Sequence, residues 1–297
     1  MAAPVAGLAV DRPRRSSPLR NVNAGRLVLF GVVLLISLIT MVPFFVLLSY
    51  TFRPMETVMN LPIEWLPSRL SVDGILLVLD RPQFLRWFFN SALVTIINTS
   101  LMIFTSSLAG YTFARKSFPG KDLIFWACMA MIVVPFQITM IPLFVTFARL
   151  GLVNSYGGLI LICVASIYGT FLFRQYILGI PRDYDDAAKV DGASEFQIYS
   201  LVILPQCGPV VAVLGAFTFI GQWNSYLWPM LIINSEELMT LPVGLALMQS
   251  MPTAGDPALS QGVMLAAATL MIIPTITTLF VMQKYIIQGV ALSGVKG

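Results

Sequence analysis

The sequence predicts an all-α, polytopic membrane protein with six transmembrane helices and both termini in the cytoplasm. Three observations carry that expectation. Of 297 residues, 57% are hydrophobic and only 11% are charged, whereas a soluble domain has about 25% charged residues. Six apolar runs reach the roughly 20 residues that a membrane helix needs. Finally, the basic residues are unevenly shared between alternate connections, 13 Lys and Arg on one side against 5 on the other, and the richer side belongs inside.

The chain opens with a basic arm, residues 1–26, which holds Arg12, Arg14, Arg15, Arg20 and Arg26 among prolines and serines. The composition predicts a disordered cytoplasmic segment, followed by a six-span body over 27–297. The first span, about 27–51, is uncharged from Leu27 to Phe52. It is too long for the apolar core of a cleavable signal peptide and reads as a retained helix. The second span, about 89–113, lies in the uncharged stretch from Trp87 to Ala114. The remaining spans are expected at about 123–147, 154–178, 207–232 and 261–284. Residues 241–250 are apolar but too short to cross; they should lie along the outer surface or dip in partway. The outer side carries Arg53, Arg69, Arg81, Arg86 and Arg149. Trp65, Trp87 and Trp228 fall near the expected boundaries, where aromatic rings favour the interface.

One polar stretch between the spans, DYDDAAKVDGASEFQIYSLVILPQCGP over 183–209, reads as helix, sharp turn, helix. Pro181 suits a first helical turn, and Asp183, Asp185 and Asp186 complement the positive end of the helix dipole. Gly192 is the natural stop, because helices often end on a residue with positive φ. Ser194 and Gln197 have the spacing of a capping box. A second helix should follow, with Ile198, Leu201 and Val202 as its apolar stripe, and Pro205 should break it.

No Asp, Glu, Lys, Arg or His occupies the middle of a span. Ion-coupled carriers place such groups there, so an ion-driven secondary carrier is disfavoured, and with it a membrane-embedded enzyme. No catalytic set, metal site or nucleic-acid-binding pattern is found. The cysteines Cys128, Cys163 and Cys207 are too scattered for a zinc spacing or a disulfide framework. Prolines and amides interrupt two spans: Gln137 lies between Pro135 and Pro142, and Gln222, Trp223, Asn224 and Tyr226 precede Pro229. Amides hydrogen-bond hydroxyls and rings stack on C–H faces, so these five are candidates for a solute path. Helix–helix hydrogen bonding is the other role open to the amides.

The polar stretch resembles the EAA loop of ABC importer permeases. Asp186-Ala187-Ala188, Gly192 and Val202-Ile203-Leu204-Pro205 match E-A-A, three residues, G, nine residues, I-x-L-P, with Asp for Glu and Val for Ile. Other segments resemble the carbohydrate-uptake permeases, in particular maltose-permease G-like subunits. These are Asn90-Ser91-Ala92-Leu93, Ala109 to Arg115 with Phe118-Pro119-Gly120-Lys121, Pro135 to Leu143, Leu150 to Asn154, Trp223 to Pro229, and the tail from Leu292 to Gly297. Ser225 stands where that family has an acid.

The resemblance implies a type I ABC importer permease fold in a bacterial inner membrane. It implies a second homologous permease, two ATPase subunits and an extracytoplasmic solute-binding protein or lipoprotein as partners, with a sugar-like solute and membrane lipid. The loop at about 179–206 would dock on the ATPases through Asp186, Ala187, Ala188, Asp191, Gly192, Ala193, Leu204 and Pro205. The chain has no G-x-x-x-x-G-K-[ST] phosphate loop, so no cofactor is expected on it, and ATP with Mg would sit on the partner subunits. Glycerol phosphate derivatives are the alternative solute class.

Overall fold

The structure is a computed structural model that describes residues 24–58, 65–250 and 257–294. The basic arm up to Asn23 and the final residues 295–297 lie outside the described residues. The chain separates into two units at Val46/Leu47. The described part of the first is residues 24–46 of helix α1 (Ala24–Thr51). Everything from Leu47 onward forms the second unit, whose regular elements among the described residues are all helices.

Three helices are long and apolar enough to cross a membrane unaided: α1, α3 (Pro82–Arg115) and, within α14 (Pro257–Gly294), residues 261–283. The third and fourth expected spans each resolve into a bent pair. Helix α4 (Lys121–Ala130) and its 3-10 turn meet α5 (Phe136–Arg149) at 105°. Val134 precedes Pro135 and is pushed into the extended region at φ −76°, ψ 115°, because the proline ring excludes helical backbone before it. Helix α6 (Tyr156–Ile160) and its 3-10 turn meet α7 (Ile167–Leu178) at 40°. Here Ser166 restarts the helix by accepting the Gly169 N–H, an ordinary N-cap.

The fifth expected span is α11 (Gly208–Trp223), a gap, then α12 (Leu227–Ile232). The break follows from Pro229, which lacks the N–H that would reach back to Ser225 and whose ring would strike that carbonyl. Sixteen residues rise only about 24 Å, so α11 by itself falls short of the hydrocarbon thickness.

After the short helix α2 (Asp73–Leu79), helix α3 is the axis of the second unit, and three buried clusters are strung along it. Phe84 and Trp87 pack with Trp223, Leu241 and Ala266. Val94 packs with Phe147, Leu159 and Trp228. Met102, Tyr111 and Ala114 pack with Phe173, Ile198, Tyr199 and Ile203. The helix starts seven residues before the expected span because Pro82 occupies its first turn.

One expectation needs correction, and one element gains detail. Helix α13 (Leu241–Ser250), too short to cross, packs into the core of the second unit: Leu241, Val243 and Leu245 are buried, and Gly244 lies flat against the Trp87 indole. Of the three tryptophans, only Trp65 is exposed. Trp87 and Trp228 are buried pins, donating Nε1–H to Glu236 O and Gly158 O, each at 2.9 Å. A ring that has a carbonyl to bond inside the fold gains nothing from the interface.

Candidate docking knuckle and polar cleft

Helix α8 (Asp183–Val190) ends in a Schellman turn. The Ala193 N–H donates to Ala188 O and the Gly192 N–H to Lys189 O, both at 3.0 Å, with Gly192 at φ 78°. Both halves of the capping box form: Gln197 N–H reaches Ser194 Oγ and Ser194 N–H reaches Gln197 Oε1. The backbone therefore reverses within four residues, as the sequence predicts. Pro181, however, lies just outside the helix, which begins after Arg182.

The second arm also differs from expectation. Helix α9 (Glu195–Gln197) widens into a π-helical stretch, Ile198–Ile203, then continues as α10 (Leu204–Gln206). It ends one residue past Pro205, at Gln206, and α11 leaves from Gly208 at 78°, so the helix breaks at the proline as the sequence predicts. The extra residue rotates the stripe: Ile198, Tyr199 and Ile203 are buried, while Leu201 is 71% exposed.

The eight expected docking residues divide by exposure. Asp186, Ala187, Asp191, Gly192 and Pro205 are exposed. Ala188, Ala193 and Leu204 are half-buried and pack on the core below, seating the knuckle on its own body. The Asp186 carboxylate is held 3.2 Å from Lys189 on its own helix. Beside it stand the exposed side chains of Tyr184, Val190 and Phe196. A shallow groove bordered by Tyr184, Ala187, Ala188 and Val202 opens on this surface.

Beneath the knuckle, α3 supplies a set of polar ties that sequence reasoning missed. Arg115 Nη2 lies 3.0 Å from Asp185 Oδ2 and donates to Ile180 O at 2.9 Å, and both side chains of the pair are about 6–7% exposed. Lys116 pairs with Glu195, and Tyr111 Oη donates to the same carboxylate at 3.2 Å. The Lys116 hydrogen bond holds the Glu195 carboxyl below the usual carboxylate range. That tie is therefore fully present near neutral pH and weakens as pH falls through the lowered value. Ser107 Oγ and Tyr199 Oη share a hydrogen bond at 2.7 Å. In sequence Asp183, Asp185 and Asp186 look alike; only the fold turns Asp185 inward.

The five solute-path candidates do not converge. Trp223 is buried, stacks on Phe219 and donates Nε1–H to Met271 O at 2.9 Å. Asn224 bonds Ile220 O on its own helix and Thr275. Gln137 is exposed on the α4–α5 elbow, and Tyr226 is half-buried in the gap before α12. Gln222 alone of the five lines a cleft of about 400 Å³ between the broken spans. Ser91, Thr95, Ser166, Thr218, Ser225 and Thr240 are among its other polar borders, and no charged side chain lines it. The spacing of Ser91, Thr95 and Asn98 along one helical face was the signal available in the sequence.

Asn98 Nδ2 donates to Gln222 Oε1 at 3.2 Å, and the Cys163 thiol reaches the same oxygen at 3.4 Å. The Gln222 carbonyl is thus occupied, and its NH2 is the end left for the cleft. A Gln222→Leu variant is expected to raise the KM for solute about tenfold, the loss of roughly one charge-free hydrogen bond, while Trp223→Phe lowers stability without moving KM. Uptake kinetics and thermal unfolding of the two variants check this split. A wider groove between α3, α11 and α14, bordered by Ile103, Val211, Gly215 and Val281, is apolar and offers little to orient a polar solute.

Comparison with known proteins agrees with this architecture. Residues 102–292 match the family described as "Binding-protein-dependent transport system inner membrane component". The chain is 34% identical over 288 residues to the arabinooligosaccharides transport system permease protein AraQ of Bacillus subtilis, covering 95% of this chain and 99% of the relative. It is 34% identical over 200 residues to the sn-glycerol-3-phosphate transport system permease protein UgpE of Pectobacterium atrosepticum, covering 67% and 70%. The fold superposes with a TM-score of 0.81 on a solved bacterial ABC transporter involved in the import of the acidic polysaccharide alginate. That match has 22% identity and covers 91% of this chain and 99% of the other.

Proposed function

The chain belongs to the binding-protein-dependent transport system inner membrane components, and we propose that it forms half of the translocation pore of an ATP-driven importer for a sugar or sugar-like solute. It is a multi-pass permease subunit and not an enzyme. A second homologous permease completes the pore, two ATPase subunits hold ATP and Mg, and an extracytoplasmic binding protein or lipoprotein delivers solute. The observation that carries this reading is the knuckle: two short helices locked at a fixed angle by the Schellman turn and capping box, with acidic and apolar side chains facing outward.

In operation, ATP binding draws the ATPase pair together. The knuckle, gripped on its exposed face, moves as one piece, and the spans packed on it change tilt. Asp186, Ala187, Asp191 and Gly192 are the contact residues, and Ala188, Ala193 and Leu204 hold the knuckle to its base. The basic-residue asymmetry supports a cytoplasmic knuckle with both termini on the same side.

Solute passes the cleft that Gln222 borders. Hydroxyls and amides without a formal charge suit a neutral polyol. The kinship with glycerol-phosphate permeases favours a second reading, a phosphorylated solute, but an anion would need a cation that this cleft's borders do not provide.

Reconstitution of the four components in proteoliposomes tests the assignment. ATP-dependent uptake of a neutral oligosaccharide, unaffected by excess glycerol phosphate, is the expected result. Uptake by the single chain under an ion gradient without ATPase would overturn it, as would labelling of a Val190→Cys variant only from outside the cell.

A further inference from the structure

We propose that the buried Arg115–Asp185 pair is the joint through which knuckle motion enters the pore, and that α3 is the rod that carries it. The inference rests on the permease reading above. The covalent routes out of the knuckle all pass through bends. Helix α7 leads into α8, but beyond Ile167 it is broken from α6 by 40°. On the other side the knuckle arm meets α11 at 78°, and α11 stops at Trp223. A bent joint dissipates a push as rotation. Helix α3 is different: it runs unbroken for 34 residues. Its inner end holds the knuckle and its outer half borders the cleft through Ser91 and Thr95.

The grip is built on one face. Ser107, Tyr111 and Arg115 are spaced four apart and so align along α3. Ser107 and Tyr111 hold the second arm through Tyr199 and Glu195. Arg115 holds the first arm through Asp185 and the approach to it through Ile180 O. The Arg115–Asp185 contact differs from the exposed Lys116–Glu195 and Lys189–Asp186 pairs in being almost fully shielded from water. Screening is weakest there, and separating the charges is most costly. A shielded pair therefore transmits displacement, whereas an exposed one lets water fill the gap. Arg115 and Asp185 are positioning residues: neither touches solute or nucleotide.

The test uses the complete assembly, reading solute moved per ATP hydrolysed together with recovery of the ATPase subunits on purification. Asp185→Asn and Arg115→Gln are each expected to lower solute per ATP at least about tenfold with ATPase recovery unchanged. The exchanged pair, Arg115→Asp with Asp185→Arg, should regain at least half of the parent ratio. Single variants that couple within about twofold of the parent overturn the proposal, as does an exchanged pair no better than the singles. If the single variants fail to reach the membrane, the exchanged pair is read by itself: a ratio at least half that of the parent supports the joint, and a lower one overturns it. An unmodified assembly that moves no solute refutes the permease reading itself, before any variant is considered.

Discussion

Replacing Gly192 with proline is expected to abolish solute-stimulated ATP hydrolysis and uptake while leaving membrane insertion intact. The φ of 78° at this position belongs to the left-handed region, where an L side chain costs roughly 1–2 kcal/mol. Proline cannot reach it at all, since its ring fixes φ near −65°. Proline also deletes the N–H that donates to Lys189 O at 3.0 Å, a bond worth about 1 kcal/mol. The turn must then reopen, and the two arms lose their fixed angle. The spans are untouched, because the space around Gly192 is open and nothing packs against it. Gly192→Ala keeps the N–H and pays only the strain, so it should retain partial coupling. Uptake and binding-protein-stimulated ATPase activity of the two variants make the check, and a proline variant with parental uptake would remove the knuckle from the mechanism.

Gly110→Val should have the opposite signature, a chain that fails to accumulate. A Cβ at Gly110 would stand 2.5 Å from Phe173 Cβ, 3.0 Å from Arg174 N and 3.1 Å from Thr170 O. Two of those three atoms are backbone, and Phe173 is fully buried. No rotamer change makes room, so α3 and α7 must separate along their seam. Overpacking of this kind costs about 1–3 kcal/mol, and more where backbone must move. A loss of about 3 kcal/mol would lower the melting temperature by roughly 6 °C or more. Thermal unfolding of the detergent-solubilised assembly and the amount of chain in the membrane both read this out. Gly110→Ala, with the same Cβ but no branches, should fall between.

The contrast between these glycines shows what is legible in a sequence. Gly192 declared itself through its neighbours: an acidic helix start before it, a Ser-to-Gln capping box after it. Gly110 sits among residues that read only as membrane helix, and its role appears once α7 is laid across it. The same holds for charge. Asp186 and Asp185 are adjacent and chemically alike, yet one is exposed and the other meets Arg115 seventy positions earlier in the chain. Trp223 and Gln222 also stood together as candidates. One helical step separates a ring buried against Phe219 from an amide at the edge of a cleft.

By itself the sequence determined that the protein is helical, that it crosses a membrane several times, and that a two-helix knuckle with a glycine turn lies between its spans. Those features are local: apolar run length, capping spacing and positive φ involve residues within a few turns of one another. Only the tertiary structure decided that Trp87 and Trp228 face inward, that Asp185 meets Arg115, and that α3 joins knuckle to cleft. Each depends on which carbonyl, ring or charge from a distant segment comes within a few ångströms, and spacing along the chain carries no record of that.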